Sequence, residues 1–364
     1  MNPSASRNRR RLAAIAAAAA VVGVASAAFA WGMVAHAIVT RQATRLLPSA
    51  LRPFFAANEK NLVLFSNEPD AKAEIDPAER PNHFLDLDAF DQPPFANVPL
   101  DEKAFVEKYG KDAEKDGRLP WAAGDSYRAL VKAFADRDYD AILKSAGYVA
   151  HYVADSTMPL HATKNYKGQD SGNVIFEGGA LDRHVHVRFE IGMIETYRQT
   201  VEARVAEKLA KAHKVTDPAG ESFVLLAVSY NFIEPILAAD REFLKEGQPV
   251  TPQYYAGMYG RVGGLAVKQM ALAATEVASY WQSAWEEAGS PNLVAGEVVL
   301  QTKPLTLEAA MAQKAAEAPR EEAAAPGQEK AAEPTQEKTA PSAEEKPGGA
   351  GEGAAVGGGQ ENAK

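Results

Sequence analysis

Cysteine is missing from the whole 364-residue chain. Disulfide bonds are therefore excluded, even if the chain is exported to an oxidising compartment where such bonds are common. Any metal site must be built from histidine, aspartate, glutamate and backbone groups, because no thiolate is available.

An excess of positive charge is missing as well. The chain carries 39 Lys and Arg residues against 48 Asp and Glu residues, which gives a formal net charge of −9 at pH 7. Four of the arginines lie in residues 1–30, and removing them takes the net charge from −9 to −13. Such a protein gets no general electrostatic attraction to nucleic acid or to anionic lipid.

The N-terminal segment has the composition of an export signal. Residues 1–30 combine an arginine cluster, an apolar run from about Leu12 to Ala27 and the small-x-small ending Ala28-Phe29-Ala30, which is typical of a cleaved secretory signal. The run is Ala-rich and shorter than the ~20 residues of a membrane span. We therefore expect an exported protein, periplasmic or secreted, with no membrane span after cleavage and with Trp31 as its first residue.

The C-terminal segment also has a non-globular composition. Residues 301–364 are rich in Ala, Glu, Pro and Gly and contain almost no large apolar side chain. Such a segment cannot bury enough surface to offset the entropy of ordering it, which predicts a disordered tail, with a short helix allowed around residues 307–318. Residues 31–300 are left as one domain with a single core, since no repeat or linker divides them.

Alternating apolar and polar stretches of strand length are missing too, and the apolar residues between the tails recur with helical spacing. The predicted class is all-α, a single multi-helix domain with metal ligands converging at the base of a cleft in the bundle interior. The Pro, Asp and Asn content of residues 67–100 predicts a long ordered loop. We expect helices at residues 34–47, 51–66, 101–109, 120–136, 138–156, 179–213, 221–245 and 254–288.

Histidine and carboxylate residues recur at a four-residue spacing in two places. His151 and Asp155 form the first pair, and on a helix both side chains project from one face and can hold one metal ion. His186 and Glu190 repeat the spacing further along the chain. His161 follows the first pair, close enough to serve a second ion. Nitrogen and oxygen donors of this kind suit Zn²⁺.

Two other histidines are given no ligand role. His213 stands alone in the sequence, and a lone histidine is most often a surface residue or a satisfied core residue. His184 competes with His186, but residues two apart on a helix face opposite ways, and only His186 has a carboxylate four residues on. We therefore expect His184 to lie behind a ligand or at the surface.

The chain lacks the sequence motifs of two other classes of metal enzyme. A di-iron bundle needs Glu-x-x-His pairs on its helices, and a thermolysin-type protease needs His-Glu-x-x-His. Neither pattern occurs in the sequence. A non-catalytic periplasmic zinc-binding protein remains an alternative.

Nine positions occur in an order that resembles a known superfamily. They are Trp31 beside Gly32, His36, Asp70, His83 in Asn-His-Phe-Leu-Asp, His151 and Asp155 followed by Pro-Leu-His161, and His186 with Glu190. This set resembles the superfamily that unites bacterial zinc-dependent phospholipase C with the single-strand-specific zinc nucleases.

The resemblance implies a site for three zinc ions. The first ligand set is Asp70, His83, His151 and Asp155. The second set is His161, His186 and Glu190. The third set is His36, Asp155 and the terminal amine and carbonyl of Trp31, so that Asp155 bridges two ions. An internal amide nitrogen cannot serve as an amine ligand, so cleavage after Ala30 would complete the site.

The resemblance also implies hydrolysis of phosphodiester bonds. Closely spaced zinc ions lower the pKa of a bound water and stabilise the attacking and leaving oxygens of a phosphoryl centre. Asp70 is the candidate to orient or deprotonate that water.

Two substrates stay open, a phospholipid and single-stranded nucleic acid, either DNA or RNA. The short spacing from Trp31 to His36 favours the nuclease branch. The last ligand is Glu190 rather than aspartate, and the run Arg188-Phe189-Glu190 favours the phospholipase branch, which we prefer by a small margin. Residues 84–88 and Tyr152 are candidates for the apolar or aromatic walls of the substrate site.

Overall fold

The computed structural model describes residues 31–172, 174, 184–244 and 248–317. The expected signal segment and the tail beyond residue 317 lie outside these residues. Within the described part the all-α prediction is confirmed, and the strand-like pairing there is an isolated bridge between Leu85 and Gly117.

Helices follow one another through the described residues. In chain order they are α1 (Met33–Leu46), α2 (Arg52–Ala57), α3 (Glu59–Ser66), α4 (Glu68–Ile75), α5 (Glu102–Tyr109), α6 (Leu119–Asp136), α7 (Tyr139–Asp155), α8 (Val185–Val187), α9 (Ile194–Thr196), α10 (Arg198–Ala206), α11 (Pro218–Tyr230), α12 (Ile233–Phe243), α13 (Pro252–Glu287) and α14 (Leu307–Glu317). A π-helical segment, Arg188–Met193, joins α8 to α9, and short 3₁₀ turns include Arg80–His83 and Pro159–His161.

Helix α13 is the longest element and packs against α1, α6 and α7. Small residues on its buried face, such as Ala273, Ala274 and Ala278, let the neighbouring helices approach closely. The buried Trp281 ring donates a hydrogen bond from Nε1 to the carbonyl of Ala146 at 2.9 Å, which ties α13 to α7. Full burial of such a large apolar side chain contributes on the order of 1.5–3 kcal/mol. This packing holds α7, which carries His151 and Asp155, in the centre of the bundle.

Side-chain caps set the start of several helices. In each case an oxygen of the residue just before the helix accepts a hydrogen bond from a backbone N–H of the first turn, which satisfies a group with no partner inside the helix. The capping residues are Asp101, Asp138, Asp217 and Thr251.

The predicted loop over residues 67–100 is wrong in its first part, because α4 lies there and carries Asp70. Pro69 indicated a loop in the sequence, but it occupies the first turn of α4, where a helix tolerates proline. The helix predicted at residues 221–245 is two helices, α11 and α12, separated at residues 231–232.

The helix predicted at residues 179–213 is also wrong at its C-terminal end. The helical part ends at Ala206, and residues 209–215 run without helical structure along α13. Backbone N–H groups of this segment donate to three hydroxyls spaced four residues apart on α13, at 3.2, 3.1 and 2.9 Å. The accepting residues are Thr275, Ser279 and Ser283. This ladder replaces the helical hydrogen bonds that the segment gives up.

The short helix that the composition allowed around residues 307–318 is present as α14, and it packs against α4, so the ordered part of the chain continues beyond residue 301. The disorder predicted for the rest of the tail lies outside the described residues. Ala310 is fully buried, and Lys314 forms an ion pair with Glu74 at 2.6 Å. The backbone N–H of Leu305 donates to Glu68 at 3.0 Å. Composition alone did not reveal these long-range partners.

Among the described residues, one stretch, Pro218–Phe243, is long and apolar enough to cross a membrane by length and composition alone. A core helix of a soluble protein passes the same test, and this stretch is divided between α11 and α12. The absence of a membrane span after signal cleavage stays a prediction.

Candidate metal centre

Eight of the nine predicted ligand residues would bind metal through their side chains, and these eight side chains are buried, with between 0 and 7% of each residue's surface exposed. They come from α1, α4, α7, α8, the π-helical segment and the two 3₁₀ turns. In chain order they are His36, Asp70, His83, His151, Asp155, His161, His186 and Glu190. Residues far apart in the sequence therefore meet in the interior.

The eight side chains form three groups, and within each group the ligand atoms lie within 4.8 Å of one another. The groups are His36 with His151 and Asp155, Asp70 with His83 and His151, and His161 with His186 and Glu190. The first two groups share His151.

Asp155 lies between two sets of imidazoles. Its Oδ1 is 3.4 Å from Nε2 of His36. Its Oδ2 is 3.2 Å from Nε2 of His151 and 3.3 Å from Nδ1 of His83. Two ligands of a tetrahedral zinc site with bonds near 2.1 Å are about 3.4 Å apart. Each oxygen of Asp155 is therefore spaced to bind a different ion.

The third group is built partly on the π-helical segment. Nε2 of His186 is 3.0 Å from Oε2 of Glu190, and Nε2 of His161 is 3.7 Å from the same oxygen. The spacing of four residues was interpreted as part of a regular α-helix, but the helix widens from Arg188 onward. Single π turns inside helices are frequent at functional sites.

Many ligand atoms of the centre have no hydrogen-bond partner among the described residues. They include both carboxylate oxygens of Asp70, Asp155 and Glu190 and both ring nitrogens of His36 and His186. A buried polar atom without a partner costs about 1–3 kcal/mol. A divalent cation in each group would satisfy these atoms, and the nitrogen and oxygen donors, without sulfur, fit Zn²⁺.

Burial affects the carboxyl groups of the centre in different ways. It raises the pKa of Glu190 to about 8 and that of Asp70 well above its ordinary value. Burial is also the largest effect on Asp155, but the charge of His151 and the close ring nitrogens of His151 and His83 outweigh it and lower the pKa. Asp155 is thus ionised, whereas the raised pKa of Glu190 keeps a proton on that carboxyl group at neutral pH.

Burial keeps most of the imidazoles neutral. It lowers the pKa of His186 to about 3 and lowers the pKa values of His36, His83 and His161 as well. Metal coordination needs this neutral form. For His151 burial also lowers the pKa, but the charges of Asp155 and Asp70 prevail and raise it to about 9.

Several residues that orient the ligands were not found from the sequence. The carbonyl of Ser66 accepts a hydrogen bond from Nδ1 of His151 at 2.8 Å, which turns Nε2 toward the carboxylates. Such a second partner usually fixes the orientation of a metal-binding histidine. Backbone carbonyls carry no sequence signal, so only the fold could reveal this contact.

A second support lies behind His83. Glu79 accepts hydrogen bonds from Tyr152, from Asn82 at 3.1 Å and from Lys72 at 2.7 Å. These bonds hold the 3₁₀ turn that ends at His83. The expectation that Tyr152 forms a substrate wall is therefore wrong, since its ring is buried and its hydroxyl is used inside the protein.

Other predicted residues also take different places. Leu85 and Leu87 belong to the hydrophobic core rather than to a substrate wall. His184 precedes α8 in an extended conformation, so the helical argument that turned it away from His186 is wrong. Its ring is buried and stacks on that of His186 with centroids 5.8 Å apart. It lies behind a ligand, which was one of the two expectations.

Trp31 is fully buried, and its ring lies 6.0 Å from that of Phe189, the neighbour of Glu190. It comes just before α1, which carries His36. Its amine and carbonyl are the ninth predicted ligand, and this role stays a prediction.

Comparison with known proteins assigns the chain to a family. A family model described as zinc dependent phospholipase C matches residues 35–228, more than half of the chain and a range that includes all eight clustered ligands. The chain belongs to the zinc-dependent phospholipase C family. The resemblance inferred from the nine positions is confirmed at this level.

Two individual proteins are also similar. A probable serine protease of Bradyrhizobium tropiciagri is 23% identical over 255 residues, which cover 58% of this chain and 32% of that protein. The chain thus spans about a third of that relative's length. The alpha toxin from Clostridium absonum matches with a TM-score of 0.40 and 17% identity, over 72% of this chain and 65% of the toxin.

Proposed function

We propose that this protein hydrolyses phosphodiester bonds with bound zinc and that its preferred reaction is phospholipase C-type cleavage of phospholipids. The observation that carries the proposal is the convergence of eight buried histidine and carboxylate side chains into three groups, two of which share His151. The family match over residues 35–228 supports zinc as the metal and the phospholipid as the substrate.

The proposed ligand sets are those that the resemblance implies, and the three observed side-chain groups support them. Asp70, His83, His151 and Asp155 hold one ion, and His161, His186 and Glu190 hold a second. A third ion takes His36, Asp155 and the amine and carbonyl of Trp31. Asp155 bridges the first and third ions, because its two oxygens face different imidazoles.

Bound zinc would supply Lewis-acid polarisation of the phosphoryl group and a nucleophile at neutral pH. Asp70 orients the attacking water and accepts its proton. Both of its oxygens have no hydrogen-bond partner among the described residues. Its Oδ1 lies 3.6 Å from Nδ1 of His83 and 3.8 Å from Nε2 of His151, farther than Asp155 lies from the same two atoms. One carboxylate oxygen of Asp70 is therefore available to accept a hydrogen bond from the attacking water.

Residues 1–30 act, in this proposal, as an export signal whose removal creates the amine of Trp31. The enzyme would then complete its third ligand set only outside the cytoplasm, in the periplasm or after secretion. This ordering would keep a phospholipase incomplete while it is still in the cytoplasm.

A single-strand-specific nuclease is the second candidate. The short spacing between Trp31 and His36 favours it. A phosphodiester of either type would bind at the metal centre, so an assay must separate the two substrates.

The test is a pair of parallel rate measurements on zinc-loaded protein that starts at Trp31. One substrate is phosphatidylcholine in vesicles, and the other is single-stranded DNA. We expect phosphocholine release without DNA cleavage. Nucleotide release alone would move the assignment to the nuclease branch, and inactivity on both with zinc bound would favour a zinc-binding protein without this activity.

Asp155→Asn provides the matched variant for this assay. It removes a ligand shared by two proposed ions, so we expect both zinc content and rate to fall, the rate by at least about a hundredfold. Asp136→Asn makes the same substitution at an exposed surface position and should behave as the unmodified protein. Full zinc content and full rate in the Asp155 variant would contradict the shared-ligand assignment.

A further inference from the structure

A fourth group of metal-type ligands lies outside the centre and shares no residue with it. It consists of His213, Glu221 and Glu276, whose ligand atoms all lie within 4.8 Å of one another. His213 comes from the non-helical segment after α10, Glu221 from the first turn of α11 and Glu276 from α13. The group therefore joins three separate pieces of the chain.

The distances in this group match those of a tetrahedral site. Nε2 of His213 is 3.2 Å from Oε2 of Glu221 and 3.5 Å from Oε2 of Glu276. Two ligands of a four-coordinate zinc ion are about 3.4 Å apart. The same atom of His213 thus faces one oxygen of each glutamate at the spacing seen in the metal centre.

Hydrogen bonds orient the His213 ring toward the two carboxylates. The hydroxyl of Ser279 donates its one proton to the carbonyl of Thr275 at 2.8 Å. Toward Nδ1 of His213, 3.2 Å away, this hydroxyl can therefore only accept. Nδ1 therefore carries a proton, and Nε2 is the ring atom that faces the glutamates, 3.2 Å from Oε2 of Glu221. This arrangement is the one in which a histidine binds metal through Nε2.

The backbone around His213 is held just as firmly. Its N–H donates to the same Ser279 hydroxyl at 3.1 Å, and Val215 donates to Ser283 at 2.9 Å. Glu221 is fixed as well, since its other oxygen accepts a hydrogen bond from the N–H of Thr216 at 3.0 Å. Hydrogen bonds from three separate elements thus fix the positions of His213 and Glu221.

The charges of the group are unbalanced. Two carboxylates face one imidazole, and even a protonated His213 would leave one negative charge. Glu276 is 8% exposed, and burial, opposed by His213 and reinforced by Glu221, raises its pKa. A divalent cation would balance both carboxylates while His213 stays neutral.

We propose that His213, Glu221 and Glu276 form a second, separate binding site for a zinc-type divalent ion. The mixed donor set excludes a preference for Ca²⁺ or Mg²⁺, which select oxygen ligands, and suits Zn²⁺. The side chain of His213 is 48% exposed, so the ion is accessible from solvent and completes its coordination with water. The ion ties the segment after α10 to α11 and α13, which indicates a structural role.

The test is a count of bound zinc by equilibrium dialysis and elemental analysis of the full chain. Glu276→Gln and His213→Ala should each bind one ion fewer per chain than the unmodified protein. Glu286→Gln removes a charge from the same helix at an exposed position and should bind the full number. Because the result is a difference of one ion, it does not depend on how many ions the metal centre holds. Equal counts in all four proteins would overturn the proposal.

A second measurement separates a metal site from a simple ion pair. The ring resonances of His213 in the NMR spectrum of the full chain should shift when Zn²⁺ is added, and should not shift in Glu221→Gln. This variant also replaces Glu276→Gln if the latter fails to fold, because Glu221 is partly exposed. Resonances that move with pH and ignore Zn²⁺ would show that His213 is an imidazolium paired with the glutamates, and would overturn the proposal.

Discussion

The ligand residues of the centre include carboxyl groups that are buried, and burial disfavours their charged form. The carboxylate of Asp155 has no exposed surface and meets three imidazoles. Burial opposes its ionised state, but the charge of His151 outweighs burial. For Glu190 burial, reinforced by the charge of Asp155, prevails over His161 and raises the pKa to about 8. At neutral pH and without metal, Asp155 is therefore ionised and Glu190 is protonated.

Zinc binding should therefore release protons. At pH 7 the protein without metal holds a proton on Glu190, whose pKa is about 8, and coordination must remove it. Calorimetric titration with Zn²⁺ in buffers of different ionisation enthalpy should give heats that vary with the buffer at pH 7. The dependence should weaken as the pH rises above about 9, because Glu190 and His151, with pKa values of about 8 and about 9, have then lost the protons that coordination must remove. Heats that ignore the buffer at pH 7 would contradict this assignment, and Glu190→Gln should remove part of the effect.

Asp86 carries a second testable pKa shift, away from the ligands. Burial, together with the charges of Asp88 and Asp116, raises its pKa from 3.8 to about 8. Between those values the folded protein holds a proton that the unfolded chain releases, so stability falls as the pH rises through this window. Asp86→Asn removes the loss, and we expect its unfolding free energy at pH 8.5 to exceed that of the unmodified protein by at least about 1 kcal/mol.

Chemical denaturation at several pH values measures this effect. The advantage of Asp86→Asn should be small near pH 4 and should grow toward pH 8.5. Asp136→Asn, at an exposed position, serves as the control and should show no such growth. A constant difference between the Asp86 variant and the unmodified protein would indicate a packing effect instead of a charge effect.

At the scale of elements, the regular helices were predictable and the irregular ones were not. The predicted helices at residues 101–109, 120–136 and 138–156 agree with α5, α6 and α7 to within one residue at each end. Their apolar spacing is a local signal, and so are the capping aspartates of α5 and α7, Asp101 and Asp138. Helix α4 and the π-helical segment were missed, because their form depends on what the rest of the chain packs against them.

Helix α14 should stabilise the helix that carries Asp70. A chain ending at residue 303 loses the buried Ala310, the ion pair from Lys314 to Glu74 and the hydrogen bond from Leu305 to Glu68. We expect its unfolding free energy to fall by about 1–3 kcal/mol, which is the range for losing hydrogen bonds to buried charged groups. Thermal unfolding measures the difference.

A chain ending at residue 317 is the control for that truncation. It keeps α14 and removes only the segment beyond it, so its midpoint should equal that of the full chain. Equal midpoints for the two truncated chains would show that α14 adds no stability to α4.

At the scale of the whole molecule, the proposed centre connects export to metal content. The ligand sets take residues from both ends of a 160-residue span, Trp31 to Glu190, and only removal of residues 1–30 would free the amine of Trp31. Protein that starts at Trp31 should bind one more zinc ion than protein with two extra residues before Trp31. Elemental analysis measures the count, and identical stoichiometry would exclude the amine as a ligand.

The sequence by itself determined the helical class, the ligand types and the local pairs. A four-residue spacing places His151 and Asp155 on one face of any regular helix, and the lack of cysteine restricts the donors to nitrogen and oxygen, so neither inference needs the fold. The order of the motifs sufficed for the family. The helical class and the local pairs follow from short-range sterics, and the ligand types follow from composition.

Only the tertiary structure decided which pairs share an ion and what orients them. The approach of His36 and His83 to opposite oxygens of Asp155, the carbonyl of Ser66 behind His151 and the docking of α14 all join residues distant in the chain. The group at His213, which looked like a lone histidine, arose in the same way. Such contacts depend on helix packing, which is set by the burial of the whole core and leaves no pattern in any short stretch of sequence.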